Sequence, residues 1–328
     1  MKRGKGGEMG TRRDIRKQHL EGGAEILSAC MIWGLGYAVM TDSLDSVPRE
    51  RLMVTEYLIA AIGMTIVCLL VNLVRGRKTG AQREPLLNKS VLFFGVSSGI
   101  LMWSGQYFQI GGMMDPDTTA GQVAFITALY VVIVPLLKWI WRRESLNRLY
   151  AVSIGLAVIG LLLLSMQGGV NGLTLSRGSW STLIGSFLFS VQILVLEAGT
   201  RKNDALTLTV VQLWSAFAGA RAIGVIHRTP LFVSYSMHQF GMLLYLGLLS
   251  TMMGFLLQTV GQKNLPAELT SVFMSTESVF GMLFSVLLLG EQITASKAIG
   301  GSMMLAAVLL AQRSGAGETA VPVEMNNS

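Results

Sequence analysis

Glu277 lies within "STESVFGMLFSVLLLGEQIT", residues 275–294, surrounded by Val279, Phe280, Met282, Leu283 and Phe284. A carboxyl in such a run has few uses. In hydrocarbon a charged side chain costs roughly 3 kcal/mol on insertion scales, so the group must face a protein interior or a watery cavity. There it binds something, or it takes up and releases a proton. A structural carboxyl, hydrogen-bonded to a neighbouring helix, is the plain alternative. Counting at 1.5 Å per residue from a helix start at 267, Glu277 is about 15 Å along the helix, near the middle of a bilayer.

Other polar groups sit in similar runs. Glu56 falls about one turn inside the outer end of its run, where a long side chain snorkels to the interface. Arg221 lies near the outer end of another; it either snorkels too or faces an acid such as Glu56. Gln106, Gln109, Gln122, Gln192, Gln212 and Gln258 suit hydrogen bonding between helices or the lining of a pathway. Trp33, Trp103, Tyr107, Tyr130 and Trp214 could wall a cavity or simply pack. Glu197 and Arg201 make an i,i+4 pair. The best candidates for substrate binding or coupling are Glu277, Tyr130, Trp33, Gln106, Tyr107, Gln258, Glu56 and Arg221.

No nucleophile-and-base constellation accompanies them. No Walker loop follows a strand, and neither H-E-x-x-H nor G-x-S-x-G occurs. Three histidines (His19, His227 and His238) are too scattered for a metal site, and no cofactor is implied. Cys30 and Cys68 lie in apolar runs and read as small hydrophobes. "DPD" at 115–117 reads as a helix start, with Asp115 as N-cap and Pro116 in the first turn.

The elements that must position these residues are membrane helices. Of 328 residues, 51% are hydrophobic and 14% charged, against about 25% charged in a soluble domain. Mean hydropathy is +0.53. A bilayer core of about 30 Å takes roughly 20 apolar residues of helix. That measure predicts ten spans, near 24–42, 54–74, 90–110, 118–137, 150–167, 180–199, 206–226, 239–260, 267–289 and 295–312. The third and eighth are interrupted by glycines and glutamines. Residues 1–23 form a basic tail and 313–328 a second tail, both expected to be disordered. With ten spans, 20 of the 26 Lys and Arg fall on the side of the two termini and 6 on the other. Basic loops stay inside, so both termini are expected in the cytoplasm. The net charge of +7 comes from short clusters between apolar runs without aromatic interleaving, which does not fit a nucleic-acid binder.

A repeat organises the spans. "DPDTTAGQVAFITALYVVIVPLLKWIWRRE" from Asp115 and "LPAELTSVFMSTESVFGMLFSVLLLGE" from Leu265 share Pro, an apolar span and a closing Glu. Glu144 then corresponds to Glu291, and Tyr130 to Glu277. The chain divides into 24–167 and 178–312. Each unit has five spans, an odd number, so the second enters from the opposite face: an inverted repeat, with a substrate site expected at mid-depth between halves.

These residues resemble the EamA-type family of the drug/metabolite transporter superfamily. The resemblance rests on "MIWGLGYAVM", "QVAFITALYVVIVPLL", "TESVFGMLFSVLLLGEQIT" and "IGGSMMLAAVLL". It implies an all-α polytopic fold of ten helices in two inverted five-helix repeats, and alternating access without ATP hydrolysis. Substrates of such proteins are small metabolites, amino-acid-like or drug-like. Two departures stand out. "TEYLIAA" has Glu56 where the family often has Arg before the aromatic. "ESVFG" has Ser278 where many members have Pro, which removes an expected kink. The reading is a non-enzymatic exporter in the cytoplasmic membrane, facilitative or proton-coupled, monomer or homodimer. Its site lies beside spans one, three, four, six, eight and nine. A sensor or partner subunit, and an intramembrane lipid-modifying enzyme, are the alternatives.

Overall fold

The computed structural model describes residues 5–79, 87–142, 148–165, 175–230 and 234–318. Among these every regular element is helical. The order is α1 (Lys5–Leu44), α2 (Arg49–Thr79), α3 (Lys89–Met113), α4 (Ala120–Thr127), α5 (Tyr130–Arg142), α6 (Arg148–Ser165), α7 (Arg177–Thr200), α8 (Ala205–Ile226) and α9 (Met237–Leu244). A π-helical stretch, Tyr245–Met253, joins α9 to α10 (Gly254–Asn264), followed by α11 (Ala267–Met274), α12 (Glu277–Leu289) and α13 (Ala295–Glu318).

Seven helical stretches among the described residues are long and apolar enough to cross a membrane: Lys17–Leu44, Arg49–Val74, Ala120–Trp141, Arg177–Thr200, Ala205–Ile226, Met237–Asn264 and Ala267–Leu289. Helices α6 and α13 contain shorter apolar stretches, Ala151–Gly160 and Ala298–Ala307. Helix α3 has 25 residues, but Gln106, Gln109 and its glycines dilute its hydropathy. Outward-facing Leu69, Leu70, Phe93, Ile140 and Leu287 are more than half exposed, as lipid-facing side chains should be. Helix α1 starts at Lys5 and α13 runs to Glu318. Lys17 and Glu21 support α1 as an i,i+4 pair at 3.8 Å.

Two expected spans are broken in the middle, in the same register. The α4–α5 span breaks at Ala128–Leu129 and the α11–α12 span at Ser275–Thr276. Tyr130 and Glu277, the first residues after each break, are 147 positions apart. The same displacement carries Ala120 to Ala267, Arg142 to Leu289 and Arg148 to Ala295. The second break needs no proline. Ser275 Oγ donates to the Val272 carbonyl at 2.6 Å, Thr276 Oγ1 to Phe273 at 2.7 Å, and Ser278 Oγ to Ser275 at 2.7 Å. Hydroxyls that bond back to the preceding turn compete with the ladder and bend it. Ser278 therefore takes part in the bend that its position was expected to lose.

Helix starts use local caps. Thr119 and Gln122 form a capping box on α4, so α4 begins after Thr119, not at Asp115. Asp115 serves elsewhere: its Oδ2 accepts from Gly178 N at the start of α7. Glu291, just past the left-handed Gly290 that ends α12, accepts from Gly121 N at 3.2 Å. A carboxylate there meets the positive end of α4. Glu144 lies outside the described residues.

Packing draws α1, α3, α4, α7 and α10–α12 around one axis. Helix α1 lies against α10, α11 and α12, and α3 against α7 and α8. Gly34 lets α1 meet α12 closely, since a Cβ there would fall 2.9 Å from the Phe280 carbonyl carbon. Gly155, by contrast, has open space where its side chain would be and makes no close contact.

Candidate functional site

An open cavity lies on this axis, with about 620 Å³ of free space when its mouth is included. Its wall includes Trp33, Tyr37 and Met40 from α1, Gln106 and Gln109 from α3, and Thr127 and Tyr130 from either side of the first break. Phe189 and Gln192 come from α7, Ser250 and Thr251 from the π stretch, and Phe255 and Gln258 from α10. Met274 and Glu277 flank the second break. These elements fall in the segments expected as spans one, three, four, six, eight and nine.

Each contributor is placed by a local feature. The breaks end α4 and α11 mid-span and let Tyr130 and Glu277 open new helices toward the axis. The π stretch is nine residues long, and such bulges redirect side chains and free carbonyls. Here the Ser250 carbonyl accepts the Trp33 indole N–H at 2.9 Å. Trp33 also leans on Phe255, with ring centroids 5.2 Å apart and planes at 55°.

Glu277 is held by phenols. Tyr37 Oη donates to Oε1 at 2.7 Å and Tyr130 Oη to Oε2 at 3.1 Å. Gln109 Nε2 donates to Tyr37 Oη at 2.9 Å and to Thr127 Oγ1 at 3.0 Å. Because Tyr37 accepts from Gln109, its own hydrogen is directed at Glu277. Each carboxyl oxygen receives one phenol donor. The two residues that open α5 and α12 at equivalent points thus bond directly to each other.

A second carboxyl lies behind the wall. Glu56 is 0% exposed. Its Oε1 accepts from Gln106 Nε2 at 3.0 Å and from Thr251 Oγ1, and Tyr57 Oη donates to the Gln106 carbonyl oxygen. Its Oε2 has no hydrogen-bond partner. Glu56 therefore does not snorkel. Distance along the helix suggested the interface, but the residue is on the face of α2 that packs against the π stretch and α8. Among the described residues no Lys or Arg forms an ion pair with Glu56 or Glu277.

Of the candidates from sequence, Glu277, Tyr130, Trp33, Gln106 and Gln258 line the cavity, and Glu56 bonds to two lining residues. Tyr107 and Arg221 lie elsewhere. Tyr107, next to Gln106 but outside the cavity wall, is held by Arg49, whose guanidinium is 3.9 Å from the ring centroid and donates to Oη at 2.6 Å. Arg221 donates to the Thr229 carbonyl at 2.9 Å, capping the end of α8 instead of facing Glu56. Tyr37, Thr127 and Thr251 had not stood out, because tyrosines and threonines are ordinary in membrane helices; only the two breaks and the π stretch give them a role. Among the described residues no group of His, Cys, Asp or Glu could hold a metal ion.

Toward the basic side, Lys138 joins three spans. Its Nζ is 3.0 Å from Glu197 Oε2 and 2.7 Å from Glu268 Oε2. Arg201 completes the cluster through its expected pair with Glu197, at 2.8 Å.

Comparison with known proteins agrees with this architecture. A solved crystal structure superposes with a TM-score of 0.64 at 15% identity, covering 92% of this chain and 99% of its own; at that identity the likeness is one of fold. An uncharacterized transporter of Archaeoglobus fulgidus is 24% identical over 280 residues, 85% of this chain and 82% of that protein. The profile of the EamA-like transporter family matches twice, over residues 22–166 and again over 176–312. With a two-repeat all-helical fold and both repeats matched, this membrane protein belongs to the EamA-like transporter family.

Proposed function

We propose that the chain is a secondary transporter that exports a small organic metabolite or drug-like molecule from the cytoplasm by alternating access. The observation that carries the reading is the cavity between two broken spans, with a buried carboxyl in its wall that no cation neutralises. Helices α3, α6 and α13 supply three spans beyond the seven long apolar stretches, for a total of ten. Residues 24–167 and 178–312 are then five-span halves, and the odd number makes the second half inverted. The shared 147-residue register of the breaks supports two copies of one unit. The bias of basic residues places both termini in the cytoplasm, and rocking of the halves opens the cavity to each side in turn. Glu277 is the binding or coupling group, and Tyr130, Trp33, Gln106 and Gln258 shape the site.

A transporter exchanges labelled for unlabelled substrate across a sealed membrane; a sensor, a partner subunit or a lipid-modifying enzyme does not. Counterflow in proteoliposomes, with substrates drawn from a metabolite comparison of cells with and without the protein, is the test. Glu277→Gln should abolish counterflow while leaving the protein folded in the membrane. Undiminished flux in that variant, at normal abundance, removes Glu277 from the mechanism. Absence of counterflow for every metabolite that differs between the cells removes the transporter reading.

A further inference from the structure

The donors and acceptors of the cavity wall are unequal, and the imbalance selects a chemical class of ligand. Among the lining residues the sole ionisable acid is Glu277, and there is no Lys, Arg or His. Many of the N–H and O–H groups of the wall are spent within the protein. Trp33 donates to the Ser250 carbonyl. Gln109 uses both amide hydrogens on Tyr37 and Thr127. Gln106 directs one amide hydrogen, and Thr251 its hydroxyl hydrogen, at Glu56. Gln192 donates to Ser98 at 3.4 Å, and Gln258 to Gln192 at 3.1 Å. Tyr37 and Tyr130 donate to Glu277.

Buried acceptors are left over as well. Gln258 Oε1 is buried and has no hydrogen-bond partner, and neither does Glu56 Oε2 behind the wall. Two carboxyls therefore sit in or next to the cavity with no protein cation to balance them. An anion entering would lose its water and meet Glu277 in a wall whose lining holds no Lys, Arg or His, a costly exchange. A protonated amine gains instead: its N–H groups satisfy Glu277 and Gln258, and its charge offsets the carboxyls. The rings of Trp33, Tyr37, Tyr130, Phe189 and Phe255 in the wall favour a cation that carries an apolar or aromatic body.

We infer that the cavity binds a monovalent organic cation: an aliphatic or aromatic ammonium whose N–H groups go to Glu277 and Gln258 and whose hydrocarbon part lies against the aromatic wall. The inference rests on the transporter reading only for its direction of movement; the binding chemistry stands apart from it.

The test uses two probes of equal shape and opposite charge, phenethylamine and 3-phenylpropionate, in radiolabelled form. Equilibrium dialysis against the full chain in lipid nanodiscs, with empty nanodiscs subtracted, reads saturable binding. Phenethylamine should bind and 3-phenylpropionate should not. Glu277→Gln, which keeps side-chain volume, should weaken phenethylamine binding by about tenfold or more, the worth of one hydrogen bond to a charged group. Equal or tighter binding of 3-phenylpropionate overturns the inference, as does binding of neither probe at millimolar concentration. Phenethylamine binding that Glu277→Gln leaves unchanged overturns it too. If the variant does not purify folded, the wild-type pair of probes decides alone. Binding of phenethylamine without any counterflow would sink the transporter reading and keep the cation site. Counterflow of an acid or a neutral solute, with no phenethylamine binding, would do the reverse.

Discussion

Replacement of Lys138 by Met should unfasten three spans at once. The lysine is 7% exposed and stands between Glu197, 3.0 Å away, and Glu268, 2.7 Å away. Methionine keeps most of the apolar stem and removes only the charge. Leaving a buried partner uncompensated costs about 3–5 kcal/mol. Two features reduce that here. Glu197 retains Arg201 at 2.8 Å, and the Glu268 side chain is 31% exposed, so water takes over part of the lost bond. Discounting the more exposed contact as a surface pair, the expected loss is about 2 kcal/mol. Equilibrium unfolding in mixed micelles, titrated with sodium dodecyl sulfate, reads the difference. A cycle with Glu197→Gln isolates the pair: the double variant should be more stable than the sum of the single losses predicts, by about 1–2 kcal/mol. A Lys138→Met protein within about 0.5 kcal/mol of wild type, the range of ordinary surface changes, would refute the reasoning. Strictly additive losses would refute it equally.

Other perturbations separate the roles of particular residues. Gly34→Val should lower the unfolding midpoint sharply, at a cost of about 1–3 kcal/mol, because α1 and α12 must move apart at Phe280; in the same assay Gly155→Ala, with open space around it, should be neutral or stabilising by about 0.5–1 kcal/mol. Tyr37→Phe removes the Glu277 donor and strands the Gln109 amide, so unfolding should be easier by about 1–3 kcal/mol, with counterflow reduced in parallel. Glu56→Gln keeps an oxygen for Gln106 and Thr251 while removing a carboxyl that has one unpartnered oxygen; its stability should stay within about 1 kcal/mol of wild type, whereas Glu56→Ala should fall well below both. Cys30 is 0% exposed and Cys68 is 7% exposed, so neither should react with maleimide until the protein is unfolded in detergent.

The residues most legible in the sequence were those whose chemistry clashed with their surroundings. Glu277 stands out because a carboxyl among Val279, Phe280 and Leu283 needs an explanation, and Gln106 and Gln258 interrupt apolar runs in the same way. What a linear reading does not give is azimuth. Glu56 was expected to snorkel but is buried among neighbouring helices, since depth alone does not say whether a side chain faces lipid, headgroups or another helix. Tyr107 and Arg221 drifted for the same reason: each has a nearer partner, Arg49 and the Thr229 carbonyl, that only folding brings together. Ser278 illustrates a different limit. Its position was read through proline, the residue expected to bend a helix there, although serine and threonine hydroxyls bend this one by bonding back to the preceding turn.

The register of the two breaks makes the strongest link between sequence and site. An apolar span has no reason of its own to stop midway, because each interrupted turn leaves backbone groups that lipid cannot satisfy. A break survives only where protein or a cavity surrounds it, so a break repeated 147 residues later marks a position that both copies keep inside the bundle. The residues that follow the breaks have since diverged, Tyr130 in one copy and Glu277 in the other, and they now share a hydrogen bond. One position holds the acid and its duplicate holds a donor for it. If duplication put both at the axis, exchanging them, Tyr130→Glu with Glu277→Tyr, should preserve folding better than Tyr130→Glu alone, which would bury two carboxyls facing each other with mutual repulsion. A double variant no more stable than the Tyr130→Glu single variant, in the same unfolding assay, would show that the two positions are not interchangeable and that their shared register has no structural meaning.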